Sequence, residues 1–204
     1  MYNHKNLHMK DHLVKEILNI YPKFNKKELN NGLQYFEEKH YPSKSIFSEN
    51  RKITDFLYFA DSSIIRCYYF DQNGEEKTLW MKPERTFVTE YKSFTSREKS
   101  NFNLQFYEET KVLCISRENL MKLYEKSNDW AIFGVLLTEK LHVTLIDVFV
   151  NLLANDATDN YKYIEYMFPK FIQVAPLKDI ASMLQISPVT LSRIRANKQK
   201  RVIS

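Results

Sequence analysis

Glycine is nearly absent, and its scarcity excludes more than any single motif does. The 3 glycines among 204 residues supply neither a glycine-rich phosphate cradle nor a nucleophile elbow. Cysteine is equally sparse: Cys67 and Cys114 stand far apart, each inside an apolar run. That spacing suits neither a disulfide framework nor a zinc site, and it predicts reduced, buried thiols in a cytoplasmic protein. A long apolar run free of charge is also missing. The most apolar stretch, Trp130 to Leu153, carries Glu139, Lys140, His142 and Asp147, which a bilayer core would penalise. It reads as a water-soluble helix, and no membrane partner is expected. Met1 to Lys10 is polar, so no secretory leader is expected there. The acidic pairs Glu37-Glu38, Glu75-Glu76 and Glu108-Glu109 are poor catalytic pairs, because neighbours in a strand face opposite ways. His4, His8 and His12 have the i, i+4 spacing of metal ligands, but a polar terminal segment is expected to fray instead. No enzyme activity, cofactor or metal is expected.

What the chain does have is a core and an uneven charge. With 44% hydrophobic residues and a net charge of only +5, the composition is that of a folded protein. From Leu177 to Ser204 there are six basic residues (Lys178, Arg193, Arg195, Lys198, Lys200, Arg201) and one acidic residue, Asp179. The remaining residues balance, so the whole excess lies at one end. Such an end suits a phosphate backbone.

Helical spacing of Leu13, Ile17 and Ile20 predicts a helix from Lys10 to Ile20, ended by Pro22, and a second short helix near Lys26 to Phe36. Short aromatic and β-branched runs then predict strands at Ser45–Phe47, Phe56–Phe59, Ile64–Phe70, Thr78–Met81, Leu104–Tyr107 and Val112–Ile115. Asp71-Gln72-Asn73-Gly74 reads as a hairpin turn. Several short strands at this spacing suggest a small barrel or sandwich. Ser116 opens another helix, and Asn128 to Leu153 reads as one long helix. Trp130, Phe133, Leu137, Leu141, Val148 and Leu152 fall near one side of it, widened by Ile146, Phe149 and Leu153. A helix apolar over so much of its circumference must be covered. At about 1.5 Å per residue it outruns a small barrel, which favours a dimer seam. Asn155 to Asp159 reads as a hinge, Tyr161 to Phe168 as a helix closed by Pro169, and Phe171 to Val174 as an extended link.

Leu177 to Ile194 reads as helix, turn, helix. Ile180, Ala181 and Leu184 share one face of the first helix, Ile186 sits in the turn, and Leu191 and Ile194 share a face of the second. Ser187 as N-cap and Pro188 at the first helical position make a strong helix start. The outward residues Val189, Thr190, Ser192, Arg193, Arg195 and Lys198, together with Ser187 and Pro188, are the candidate DNA contacts.

Pro176-Leu177-Lys178-Asp179-Ile180-Ala181-Ser182-Met183-Leu184 and Ile186-Ser187-Pro188-Val189-Thr190-Leu191-Ser192-Arg193-Ile194-Arg195 resemble the helix-turn-helix of the Crp/Fnr family, particularly its Bacteroidetes members. The upstream order of elements is similar too, and Asn73-Gly74-Glu75-Glu76 looks like the hairpin of the family barrel. The resemblance implies an α+β fold: a barrel of the cyclic-nucleotide-binding type with flanking helices over residues 1–127, a dimerisation helix over 128–154 and a DNA-binding domain over 155–204. It implies a homodimeric transcription regulator on an inverted-repeat site in double-stranded DNA, with room for a small-molecule effector in the barrel. Three departures stand out. Gln185 occupies a turn position where the family usually has glycine. Val189 replaces a base-reading glutamate, and Pro188 aligns with an arginine, whereas Arg193 is retained. The chain ends about ten residues after Ile194, so no β-hairpin wing is expected. In the barrel, Thr89-Glu90 lacks the glycine of the family's ribose-binding pair, and Arg97 is not followed by the expected hydroxyl residue. Tight cyclic-AMP binding is therefore not expected, and two cysteines are too few for an iron–sulfur cluster. The competing reading is a sensor or interaction module that keeps the barrel without binding DNA.

Overall fold

The computed structural model describes the backbone of residues 4–203 and the side chains of residues 9–197. His4 and His8, the first two histidines of the i, i+4 series, lie outside the described side chains. His12 turns its ring to Asp61, 2.6 Å away. Among the described residues no cluster could hold a metal ion, and no helix is long and apolar enough to cross a membrane.

The fold is α+β. Helices α1 (His4–Ile20) and α2 (Lys26–Leu33) precede eight strands, β1 (Glu37–Tyr41), β2 (Ile46–Ser48), β3 (Phe56–Ala60), β4 (Ile65–Phe70), β5 (Glu76–Lys82), β6 (Thr86–Val88), β7 (Asn103–Phe106) and β8 (Thr110–Ser116). Helix α3 (Tyr91–Ser96) lies between β6 and β7. The strands form two antiparallel sheets, ordered β1-β8-β3-β6 and β2-β7-β4-β5. Aromatic rings fill the space between them: Phe47 stacks on Phe106 at 4.1 Å and meets Tyr58 edge-on at 4.9 Å. The β4–β5 hairpin turns at the expected place, with Gly74 at φ 78° and Asp71 accepting the amides of Asn73 and Glu75. Strand β1 escapes the apolar-run signal because it is a charged edge, Glu37-Glu38-Lys39, of the kind that discourages further pairing. Strand β6 and helix α3 are too short to carry a period.

Helix α4 (Arg117–Lys126) is capped by Ser116, and α5 (Asn128–Ala154) runs for 27 residues. The first half of α5 closes the main core. Trp130 and Phe133 are fully buried against Phe24, Phe36 and Phe87, and the Trp130 indole donates to Glu28 O at 3.0 Å. Gly32 permits this approach: a Cβ there would stand 2.1 Å from the Trp130 ring.

Two expectations for the C-terminal part are corrected. The five-residue hinge shrinks to Asn155 and Asp156. The Asp156 carboxylate takes the amides of Thr158 and Asp159 and starts α6 (Ala157–Met167) early. The expected extended link at Phe171–Val174 is helix α7 (Pro169–Val174), with Pro169 at its first turn. Helices α8 (Leu177–Met183) and α9 (Pro188–Ile203) follow. Tyr161, Ile164, Phe171, Ile180, Ala181, Met183, Leu184 and Leu191 bury one another, and Ile64, Met81 and Tyr107 of the barrel join the same cluster. The C-terminal helices therefore rest against the barrel.

Candidate nucleic-acid interface

The turn between α8 and α9 is built from ordinary backbone chemistry. Gln185 adopts φ 56°, the left-handed conformation in which glycine has the advantage. Its amide donates to Ser182 O at 3.1 Å, and the Ile186 amide donates to Ala181 O at 3.0 Å. These two bonds satisfy carbonyls that the end of α8 would otherwise leave unpaired, the Schellman arrangement. Glutamine thus holds a left-handed turn position that favours glycine, and both closing hydrogen bonds form around it. Ser187 then caps α9: its hydroxyl accepts from the Thr190 amide at 3.1 Å and meets the Thr190 hydroxyl at 2.9 Å. Ile180, Ala181 and Leu191 are wholly buried, so the angle between the helices is set by a close crossing at a small side chain.

With Leu191 inward, Val189, Ser192, Arg193 and Ala196 share the opposite face by helical spacing, and all four are exposed. Ser187, Pro188 and Thr190 are exposed at the start of the helix. Helix α9 contains no acidic residue, so nothing on this face opposes a phosphate or the acceptor edge of a base. Arg195 departs from its expected place. It is half-buried, its guanidinium lies 5.5 Å from the centre of the Tyr161 ring, and its Nε and one Nη are buried without hydrogen-bond partners. The cause is angular: Arg195 follows Leu191 by one turn and shares the inward side. The Lys198 side chain lies outside the described residues.

The expected seam on α5 is corrected as well. Trp130, Phe133 and Leu137 are consumed by the main core, and Leu141 packs partly against it. Val148 is half-buried, and Leu152 packs on the C-terminal cluster. The uncovered apolar groups lie on another side of the helix: Val135, Ile146, Phe149 and Leu153, flanked by Val143, Leu145 and Val150. Val135, Glu139, His142, Ile146, Phe149 and Leu153 recur at alternating spacings of four and three, the coiled-coil period. That stripe was visible in the sequence only as a widening of the face that the core consumes.

The barrel region that resembles a phosphate cassette binds its own chain. Glu90 caps α3 by accepting the amides of Lys92 and Ser93. The Ser93 hydroxyl takes the Thr54 amide and donates to Glu98 O, and that of Ser100 bonds to Phe102 N and O. Arg97 ends α3 with φ 62°, and its guanidinium holds Thr54 O and Asp55.

No family profile matches the chain, and no curated protein sequence does. Solved structures do. The c-di-GMP-responsive global regulator CLP of Xanthomonas campestris superposes with a TM-score of 0.65 at 16% identity, over 87% of this chain and 93% of that one. FixK2 of Bradyrhizobium japonicum gives 0.65 at 14%, over 82% and 86%. The catabolite activator protein of Thermus thermophilus gives 0.52 at 18%, over 89% and 87%. At such identities the likeness is one of architecture, and the chain has the fold of the Crp/Fnr transcription regulators.

Proposed function

We propose that this protein is a homodimeric, sequence-specific DNA-binding transcription regulator, organised as a barrel unit (1–127), a dimerisation helix (128–154) and a DNA-binding unit (155–204). The observation that carries the reading is the face of α9: exposed, free of acid, and centred on Arg193. Arginine to guanine is the commonest specific contact, worth about 1–3 kcal/mol of discrimination as a bidentate pair. Ser187, Thr190 and Ser192 flank it as short polar contacts, and Val189 offers an apolar contact of the kind a thymine methyl accepts. Lys198, beyond the described side chains, is assigned to phosphate. Arg195 reaches DNA only by leaving Tyr161. The partner subunit covers Ile146, Phe149 and Leu153. The effector, if the barrel takes one, is not cyclic AMP, because Glu90, Ser93, Arg97 and Ser100 already serve their own backbone. A phosphate unpaired at such a site is strongly disfavoured.

Binding-site selection with the purified dimer, followed by titration at several salt concentrations, tests this. An inverted repeat with half-sites about one helical turn apart should be enriched. Arg193→Ala should relax one base pair per half-site, whereas Lys198→Ala should weaken all sequences alike and reduce the salt slope by about one. Cyclic AMP at 100 times a real dissociation constant would add about 2.7 kcal/mol of stability; no such melting shift is expected. If no sequence is enriched and no DNA is bound even at low salt, the sensor reading replaces this one.

A further inference from the structure

Where α8 meets the barrel, buried charges meet as well. Strand β5 is the edge of its sheet, and an edge leaves amides without strand partners. Helix α8 lies along it, and the Ser182 hydroxyl accepts the Thr78 amide at 2.9 Å. One turn earlier on α8, Asp179 is 3% exposed, and it faces Arg66 of β4, also 3% exposed. Tyr107 donates its hydroxyl to Asp179 Oδ2 at 2.9 Å, and an Arg66 Nη stands 3.1 Å from Asp179 Oδ1. Burial, then the carboxylate beside it, raises the Tyr107 phenol, so it remains a donor. The other Arg66 nitrogens hold Glu76 at 2.7 Å and the Thr78 hydroxyl at 3.0 Å, and its plane covers the Tyr68 ring. The cluster thus sets one guanidinium between two carboxylates, one from each side of the contact.

The geometry points to Asp179 as a latch: held by Arg66 and Tyr107, it fixes the α8–α9 pair on the barrel and thereby sets the register of the two recognition helices in a dimer. The second half of this inference rests on the DNA-binding reading above; the first does not. Two features favour a switchable tie over a permanent one. The covalent link between α5 and α6 is only Asn155 and Asp156, so orientation is left to packing and to polar ties: this cluster, and Lys170 of α7, whose ammonium holds Ser62 O at 2.8 Å, Glu84 at 2.7 Å and Glu108 at 3.1 Å on the barrel. The Arg66 Nη nearest Asp179 lacks a well-aligned hydrogen bond, and a buried pair gains little once the hydration it gives up is subtracted. Opening it returns both charges to water. The latched state leaves Val189, Ser192 and Arg193 exposed, so the latch aims the reading face instead of hiding it.

Spin labels on added cysteines at Gln72 and Ser192 report the orientation directly, because both sites are exposed and the native Cys67 and Cys114 are buried. Labelled chains are diluted into unlabelled ones, so that only distances within one chain are read. The expected result is one narrow distance in the otherwise wild-type chain, broadened by Asp179→Asn and by Tyr107→Phe. The second variant removes a single hydroxyl and keeps the ring, so it remains informative if the first does not fold. Without labels, both variants should lose about tenfold in affinity for the selected site, on the scale of one hydrogen bond to a charged group, with binding to random DNA at low salt unchanged. A distance already broad in the wild type, or unmoved in Tyr107→Phe, overturns the latch. A broadened distance with unchanged or increased affinity overturns its role in register. A broadened distance in a protein that binds no DNA at all upholds the latch and removes the DNA-binding reading instead.

Discussion

The two halves of α5 are both rich in apolar residues, and their largest side chains meet opposite fates. In the first, Trp130, Phe133 and Leu137 are at most 2% exposed, locked against α1, α2 and the barrel. In the second, Val143 is 58% exposed, Val150 56% and Leu153 80%. Apolar content says that a surface must be covered, not what covers it. The first half is covered because α1 and α2 fold back over it, and the second runs past them and leaves its stripe exposed.

The largest expected effect separates the halves outright. Leu137→Glu places an unpaired carboxylate in the core, and burial of such a charge is costly enough that the barrel should not fold. Ile146→Glu with Phe149→Glu should instead leave the thermal transition of the barrel in place and yield monomers. Each large apolar group withdrawn from a seam forfeits roughly 1.5–3 kcal/mol. Sedimentation and circular dichroism read both, and a double variant that sediments as the wild type does would overturn the proposed seam on α5.

Gly32→Ala probes the buried half more gently. Its Cβ would collide with Trp130, and overpacking of this kind costs about 1–3 kcal/mol. The urea midpoint should fall with sedimentation unaffected; an unchanged midpoint would mean that α2 is free to slide away from α5.

A third test uses pH. Burial, and to a lesser degree Lys140, push the Lys82 ammonium down to about 8. The unfolded chain holds that proton to an ordinary 10.5, so between these values the unfolded state binds more protons and stability rises with pH. Lys82→Met should remove that rise and gain stability near neutral pH. Urea titrations of both proteins at about pH 7 and about pH 10 decide it, and equal slopes would show that Lys82 is as well hydrated as a surface lysine.

The smallest effect lies in the C-terminal turn, which has no part in either half of α5. Gln185→Gly should stabilise by no more than about 1 kcal/mol, because the strain relieved at positive φ is partly offset by a freer unfolded chain. Recovery of the wild-type melting temperature would show that glutamine tolerates the turn without cost; DNA affinity should not change.

Much of the fold was legible because it rests on local signals. Six strands, the Asp71–Gly74 hairpin and the full length of α5 announced themselves by composition and period, and the α8–α9 pair by Ala181, Ser187 and Pro188. The edge strand β1 was hidden by its charges. Helix α7 was hidden because six residues cannot display a helical period. In the candidate interface, Arg193 is exposed as its spacing from Leu191 predicts, whereas Arg195 turns inward onto Tyr161, a contact 34 residues away that no local pattern displays. Arg66 within an apolar strand and Asp179 as the one acid in a basic end were the available signals of the contact with the barrel, and nothing in either segment joined them.

What the amino-acid sequence by itself determined, then, is where the longer helices and the apolar strands lie, how the α8–α9 turn is capped, and which end carries the charge. These follow from backbone propensity, capping and spacing between near neighbours. Only the tertiary structure decided which side of α5 stays open, that Arg195 turns inward, and that Asp179 meets Arg66 and Tyr107. Each of those depends on groups far apart in the chain, brought together by burial that has no preferred direction until all the elements are in place.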